Sequence, residues 1–141
     1  MNQSERALVL LVAAALAALS VCSGAEAPTY ATLYQFTGYL GGPDGSYPIA
    51  PVVIGSGGVL FGTTRLGGVV NSTTCPQGCG TIFSLTPPAS AGLPWSETIL
   101  YSFTGGSDGY WPSAAVTLGA DGVLYGTRSV AGPPAMVPYS P

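Results

Sequence analysis

The chain has 141 residues, of which 3 are Lys or Arg, 6 are Asp or Glu and none is His, a charged fraction of 6% and a net charge of −3; an ordinary globular chain is about 25% charged. No clustered basic face is present to grip nucleic acid and no basic amphipathic stretch to sit on an anionic membrane surface. The absence of His and Lys removes the commonest general base and the amine nucleophile. Gly (21) and Pro (13) are abundant, yet 47% of residues are hydrophobic and 10% aromatic. Disordered chains lack such apolar content, so the glycines and prolines read as turns between short strands.

Met1–Arg6, with one Arg, precedes an apolar run from Ala7 to Val21 and then the small residues Cys22, Ser23, Gly24 and Ala25. This is the order of a secretory signal. As a helix the run spans about 22 Å against a hydrocarbon core of ~30 Å, which favours a signal peptide over a membrane span. A signal helix over residues 1–25, cleaved after Ala25, is therefore expected, with membrane contact only through it and a secreted or cell-surface location. Leu19-Ser20-Val21-Cys22 is a faint alternative lipidation site, weakened by the bulk of Val21. In oxidising surroundings Cys75 and Cys79, in Cys-Pro-Gln-Gly-Cys, are expected to form a disulfide. The other reading is metal, but two thiolates without His or a second pair do not complete a tetrahedral zinc site. No metal and no cofactor are expected.

The chain then repeats itself. Leu33-Tyr34-Gln35-Phe36-Thr37-Gly38 returns as Leu100-Tyr101-Ser102-Phe103-Thr104-Gly105, identical but for Gln35 and Ser102. Asp44–Thr63 aligns with Asp108–Thr127 at an offset of 64, matching at Asp44, Gly45, Pro48, Ala50, Val52, Gly55, Gly58, Val59, Leu60, Gly62 and Thr63. The first unit, residues 26–96 with its connector Pro87–Pro94, reads as four short antiparallel strands. They begin at Leu33–Phe36, form a hairpin from Pro51–Ile54 and Val59–Thr64, and end with Thr81–Thr86. The second, residues 97–128, starts with Thr98–Phe103 and forms a hairpin from Ala114–Leu118 and Val123–Arg128. Asp121-Gly122 supplies the positive φ that this second turn needs. Four strands in about 65 residues suit a propeller blade.

Leu100-Tyr101-Ser102-Phe103-Thr104, Asp108-Gly109, Gly122-Val123-Leu124-Tyr125-Gly126-Thr127 and Gly80-Thr81-Ile82-Phe83-Ser84-Leu85 together resemble the GloVer tandem repeat of exported bacterial proteins over roughly residues 30–128. The resemblance implies secreted or surface-anchored propeller-type arrays with no general enzymatic activity. Gly57 departs from it where the second unit has Asp121, and family members carry many more repeats.

Residues 129–141 hold four prolines and read as an irregular tail. Taken from the third base of each codon, Met136–Pro141 permits Gly-Thr-Val-Phe-Ser, with only the Gly forced; this favours a frameshift near Ser129 over a natural Pro-rich tail. The expected architecture is thus all-β, an antiparallel partial propeller of about one and a half blades. Its exposed strand edges and faces call for further blades or self-association.

Asp44 and Asp108 occupy equivalent positions, each before Gly, which marks a turn residue rather than a catalytic or calcium-binding one. The recurring Tyr34, Phe36, Phe61, Tyr101, Phe103 and Tyr125 read as core. Tyr47, Tyr110 and Trp111 fall in loops and are the candidate binding residues, able to stack on a sugar ring or seat a protein. Arg65 and Arg128 are not equivalent in the alignment and read as isolated surface residues. Asn71-Ser72-Thr73 has the form of a glycosylation sequon. The first expectation is a non-enzymatic extracellular module that binds a glycan or protein. The alternatives are a fragment of a propeller-based hydrolase or lactonase, and a truncated product without a function of its own.

Overall fold

Short runs of β-branched and aromatic residues between glycines limit this chain to strands of two to seven residues. The computed structural model describes residues 29–38 and 42–127, and the backbone of 136–138. The expected signal helix over 1–25 and its cleavage site, Arg128, and the tail apart from Met136–Pro138 lie outside the described residues. The chain divides into two units, Met1–Ala31 and Thr32–Pro141, and all the sheet elements lie in the second.

The fold is all-β and antiparallel. Strands β1 (Val53–Ile54), β2 (Leu60–Thr64), β3 (Thr81–Thr86) and β4 (Ser96–Ser102) form one sheet in the order β1-β2-β3-β4. Strands β5 (Thr117–Leu118), β6 (Val123–Tyr125) and β7 (Met136–Pro138) form a second in the order β5-β6-β7. Among the described residues there is no α-helix, only a single 3-10 turn at Ser56–Gly58.

The sequence repeat is a structural repeat down to its hydrogen bonds. Val53 faces Phe61 and Ile54 faces Leu60; 64 residues on, Thr117 faces Tyr125 and Leu118 faces Leu124. Each hairpin closes on the same bond, Gly55 N to Val59 O and Gly119 N to Val123 O, both 2.8 Å. Gly58 and Gly122 take φ of 76° and 77°, a conformation that a Cβ disfavours.

The aromatic segments repeat as well. Asp44 accepts from the Thr37 amide (2.7 Å), the Thr37 hydroxyl (2.9 Å) and the Tyr34 hydroxyl (3.5 Å). Asp108 accepts from the Thr104 amide (2.8 Å), the Thr104 hydroxyl (2.6 Å) and the Tyr101 hydroxyl (3.0 Å). Partial desolvation alone would raise the Asp108 pKa, but the bonds from Thr104 and Tyr101 outweigh it and hold the carboxyl below its usual range. These carboxylates clasp their loops.

The structure differs from the expected strands at three places. Leu33–Phe36 forms no strand. Its counterpart at Leu100 finds β3 ahead of it in the chain, whereas no described strand precedes residue 33; Phe36 instead packs edge-on against Phe83, ring centroids 4.9 Å apart. Ser96–Ser102 pairs with β3 across a register shift at Ile82/Phe83, because consecutive strands pair readily when the connector is short. The first sheet therefore runs through the repeat boundary at 96/97. Within the tail, Met136–Pro138 pairs with β6.

The core lies between the sheets: Phe61 and Ile82 of the first meet Val116 and Leu124 of the second, with Phe103 and both cysteines among them. Thr64 and Thr81 are also buried, and their hydroxyls bond to each other at 2.8 Å. Thr63 Oγ1 donates to the Ala114 carbonyl at 3.2 Å, tying β2 to the strand leading into β5. Asp108→Ala is expected to lower the unfolding free energy by about 1 kcal/mol at pH 7, since of the donors it loses only the Tyr101 hydroxyl is partly buried and those of Thr104 are exposed, as read by urea denaturation. Because its carboxyl is held low, the stabilisation is present above the ordinary carboxylate pKa and is lost as pH falls through the lowered value. The variant's acid unfolding should therefore be shallower.

Candidate functional site

After each clasp the chain makes the same unusual step. Asp-Gly is followed two residues later by Tyr47 (φ 57°) and Trp111 (φ 54°), the non-glycine residues with positive φ among those described. A bulky side chain pays about 1–3 kcal/mol for this conformation, which persists only where the surroundings over-determine it. Here they do. Trp111 N donates to Cys79 O at 2.8 Å, Arg65 N donates to Tyr47 O at 3.1 Å, and Ser46 exchanges bonds of 2.8 and 3.0 Å with Leu66.

Cys79 is itself fixed. The Cys75–Cys79 disulfide forms, Cα atoms 5.1 Å apart, with both residues fully buried. It lies under Gly105, where a Cβ would meet Cys75 Sγ at 2.7 Å and Cys79 Sγ at 3.1 Å. Closing so small a loop constrains the unfolded chain little, so its main effect is to set the Cys79 carbonyl that receives Trp111. The Asn71 amide is occupied in the same loop: Nδ2 donates to Thr104 O at 3.1 Å, and Oδ1 accepts from the amides of Thr73 and Thr74.

Of the three expected binding aromatics, Tyr110 and Trp111 come together, rings edge to face with centroids 4.9 Å apart. Both are half-buried against the core; Tyr47 is 53% exposed. The residue that sequence reasoning missed is Arg65. Its backbone holds Tyr47, and its guanidinium lies over the Trp111 ring, 5.4 Å from the centroid. Such a contact is worth about 0.5–1 kcal/mol at an exposed site. The repeat hid it, since Arg65 aligns with Ser129; the signal was its place directly after Thr64, where β2 ends beside the Tyr47 loop. Planar apolar faces beside a five-donor cation can stack on a ring and bond a carboxylate.

A second cluster joins Tyr34 and Asp44 of the first unit to Glu97, the first residue of the second. Burial, and then the charge of Asp44, push the Glu97 pKa up to about 7. Tyr34 is raised by burial and then by Glu97 and Asp44. Asp44 Oδ1 and Glu97 Oε1 are both buried, with no hydrogen-bond partner among the described residues. No group of three or more His, Cys, Asp or Glu gathers among the described residues in a way that would hold a metal ion. Between the sheets, Thr63, Ile82, Phe103, Pro112 and Val116 line a cavity of about 10 Å³, room for about one water.

No family model, curated protein or solved structure matches this chain. A raised Glu97 means that the folded protein binds more protons than the unfolded chain between pH 4.5 and about 7, so stability falls as pH rises through that window. Glu97→Gln is expected to flatten this limb and to raise the melting temperature at pH 8, as read by thermal melts across pH.

Proposed function

We propose that this chain is a non-enzymatic, extracytoplasmic repeat module, built as propeller-type blades like GloVer repeats, that binds a glycan or protein through Tyr47, Arg65, Tyr110 and Trp111. The observation that carries the reading is the duplicated left-handed aromatic at Tyr47 and Trp111. Backbone strain of this kind, kept in both units, collects at ligand-contacting sites, and here Arg65 connects the two. The buried disulfide and the signal-like leader support a location outside the cytoplasm. The exposed ring of Tyr47 suits a sugar ring, and the guanidinium adds a preference for ligands that carry a carboxylate.

A propeller-based hydrolase is the second reading, drawn by one observation: Glu97, protonated near neutrality, beside Asp44. Glycoside hydrolysis uses such a pairing of acid and carboxylate. Oligosaccharide turnover that Glu97→Gln abolishes would favour it.

Calorimetric titration with neutral and uronic-acid oligosaccharides tests the binding reading. Tyr47→Ala and Arg65→Ala are each expected to weaken binding roughly tenfold, about 1.4 kcal/mol, with a cooperative melt retained and the melting temperature lowered by no more than about 5 °C. Equal affinity in both variants and the parent would contradict it.

A further inference from the structure

The repeat shows what covers each face of a sheet, and among the described residues the matching positions at each end of the array are exposed. In the second unit Pro112, Val116 and Leu118 pack onto the first sheet: Pro112 and Val116 line the inter-sheet cavity with Thr63 and Ile82, and Leu118 lies beside Gly55 and Phe61. Val116 is 2% exposed. The residues 64 positions earlier are Pro48, Val52 and Ile54. Pro48 is exposed, Val52 is 46% exposed and Ile54 is 71% exposed. The receiving face repeats in the opposite sense. Phe61 is fully buried and Thr63 nearly so, whereas their counterparts Tyr125 and Thr127 are exposed, Tyr125 at 41%.

We propose that a second copy of this chain docks head to tail, its Pro48, Val52 and Ile54 lying on the Thr117 and Tyr125 face of the first copy. The contact would reproduce the packing already present between the two sheets of one chain. The two surfaces meet as unlike partners, so the contact is heterologous and leaves a free face at each end, and association continues into a ring or an open filament. None of these five residues is charged, the Tyr125 hydroxyl already donates to Asp121 at 3.0 Å, and the exposed aliphatics gain about 25 cal/mol per Å² buried. The inference stands apart from ligand binding at Tyr47 and Arg65.

The test uses the full chain and two variants at exposed positions, Ile54→Arg on one face and Thr117→Arg on the other, with circular dichroism confirming the parent spectrum. Sedimentation velocity from 1 to about 200 µM is expected to show concentration-dependent growth of the parent beyond a dimer, consistent with a heterologous contact. Each variant alone is expected to sediment as monomer. An equimolar mixture should form a capped dimer, because each variant keeps the face that the other lacks. A parent that stays monomeric throughout overturns the proposal. So does association that neither variant affects, or variants that stay monomeric when mixed.

Discussion

Two sheets of three and four short strands have little interior of their own, and the packing of Val116 and Leu118 onto Phe61 and Ile82 is the contact from which the rest of this fold follows. It buries the inner face of each sheet and sets the distance at which Thr63 reaches the Ala114 carbonyl. It also encloses the disulfide among Phe61, Ile82 and Phe103. With only 6% charged residues, the chain has few ion pairs to draw on, and the polar work falls to threonines and backbone. The buried Thr64–Thr81 pair and the two Asp clasps are the outcome.

The loop that carries Tyr47 and Trp111 is a by-product of the same geometry. Each clasp ends in Asp-Gly, the second residue beyond it takes a left-handed conformation, and the disulfide-fixed Cys79 carbonyl holds it in the second unit. The clasp makes structural sense of the repeated aspartates, and the strained residue behind it is the feature that stability alone does not require. Core, clasp and candidate site thus form one connected sequence of contacts, so damage to the disulfide loop should reach Trp111 before it reaches the sheets.

Local features were legible in the sequence. Both hairpins stand where glycines and Asp121-Gly122 place them, the register repeats at the offset of 64, and Cys75 joins Cys79. What was not legible depends on neighbours. Leu33-Tyr34-Gln35-Phe36 and Leu100-Tyr101-Ser102-Phe103 are nearly the same string, yet only the second pairs as strand, because only it has β3 beside it. Arg65 and Glu97 carry no repeat signature; their roles arise from Trp111 and Asp44, residues distant in sequence that the fold brings close.

The claim that equivalent positions differ only by whether a neighbouring sheet covers them is tested most directly by one paired measurement, the thermal melts of Val116→Asp and Val52→Asp in dilute solution. The account predicts that Val116→Asp abolishes the cooperative melt, since it buries an unpaired carboxylate, while Val52→Asp melts within a few degrees of the parent. Equal destabilisation by the two substitutions would contradict it.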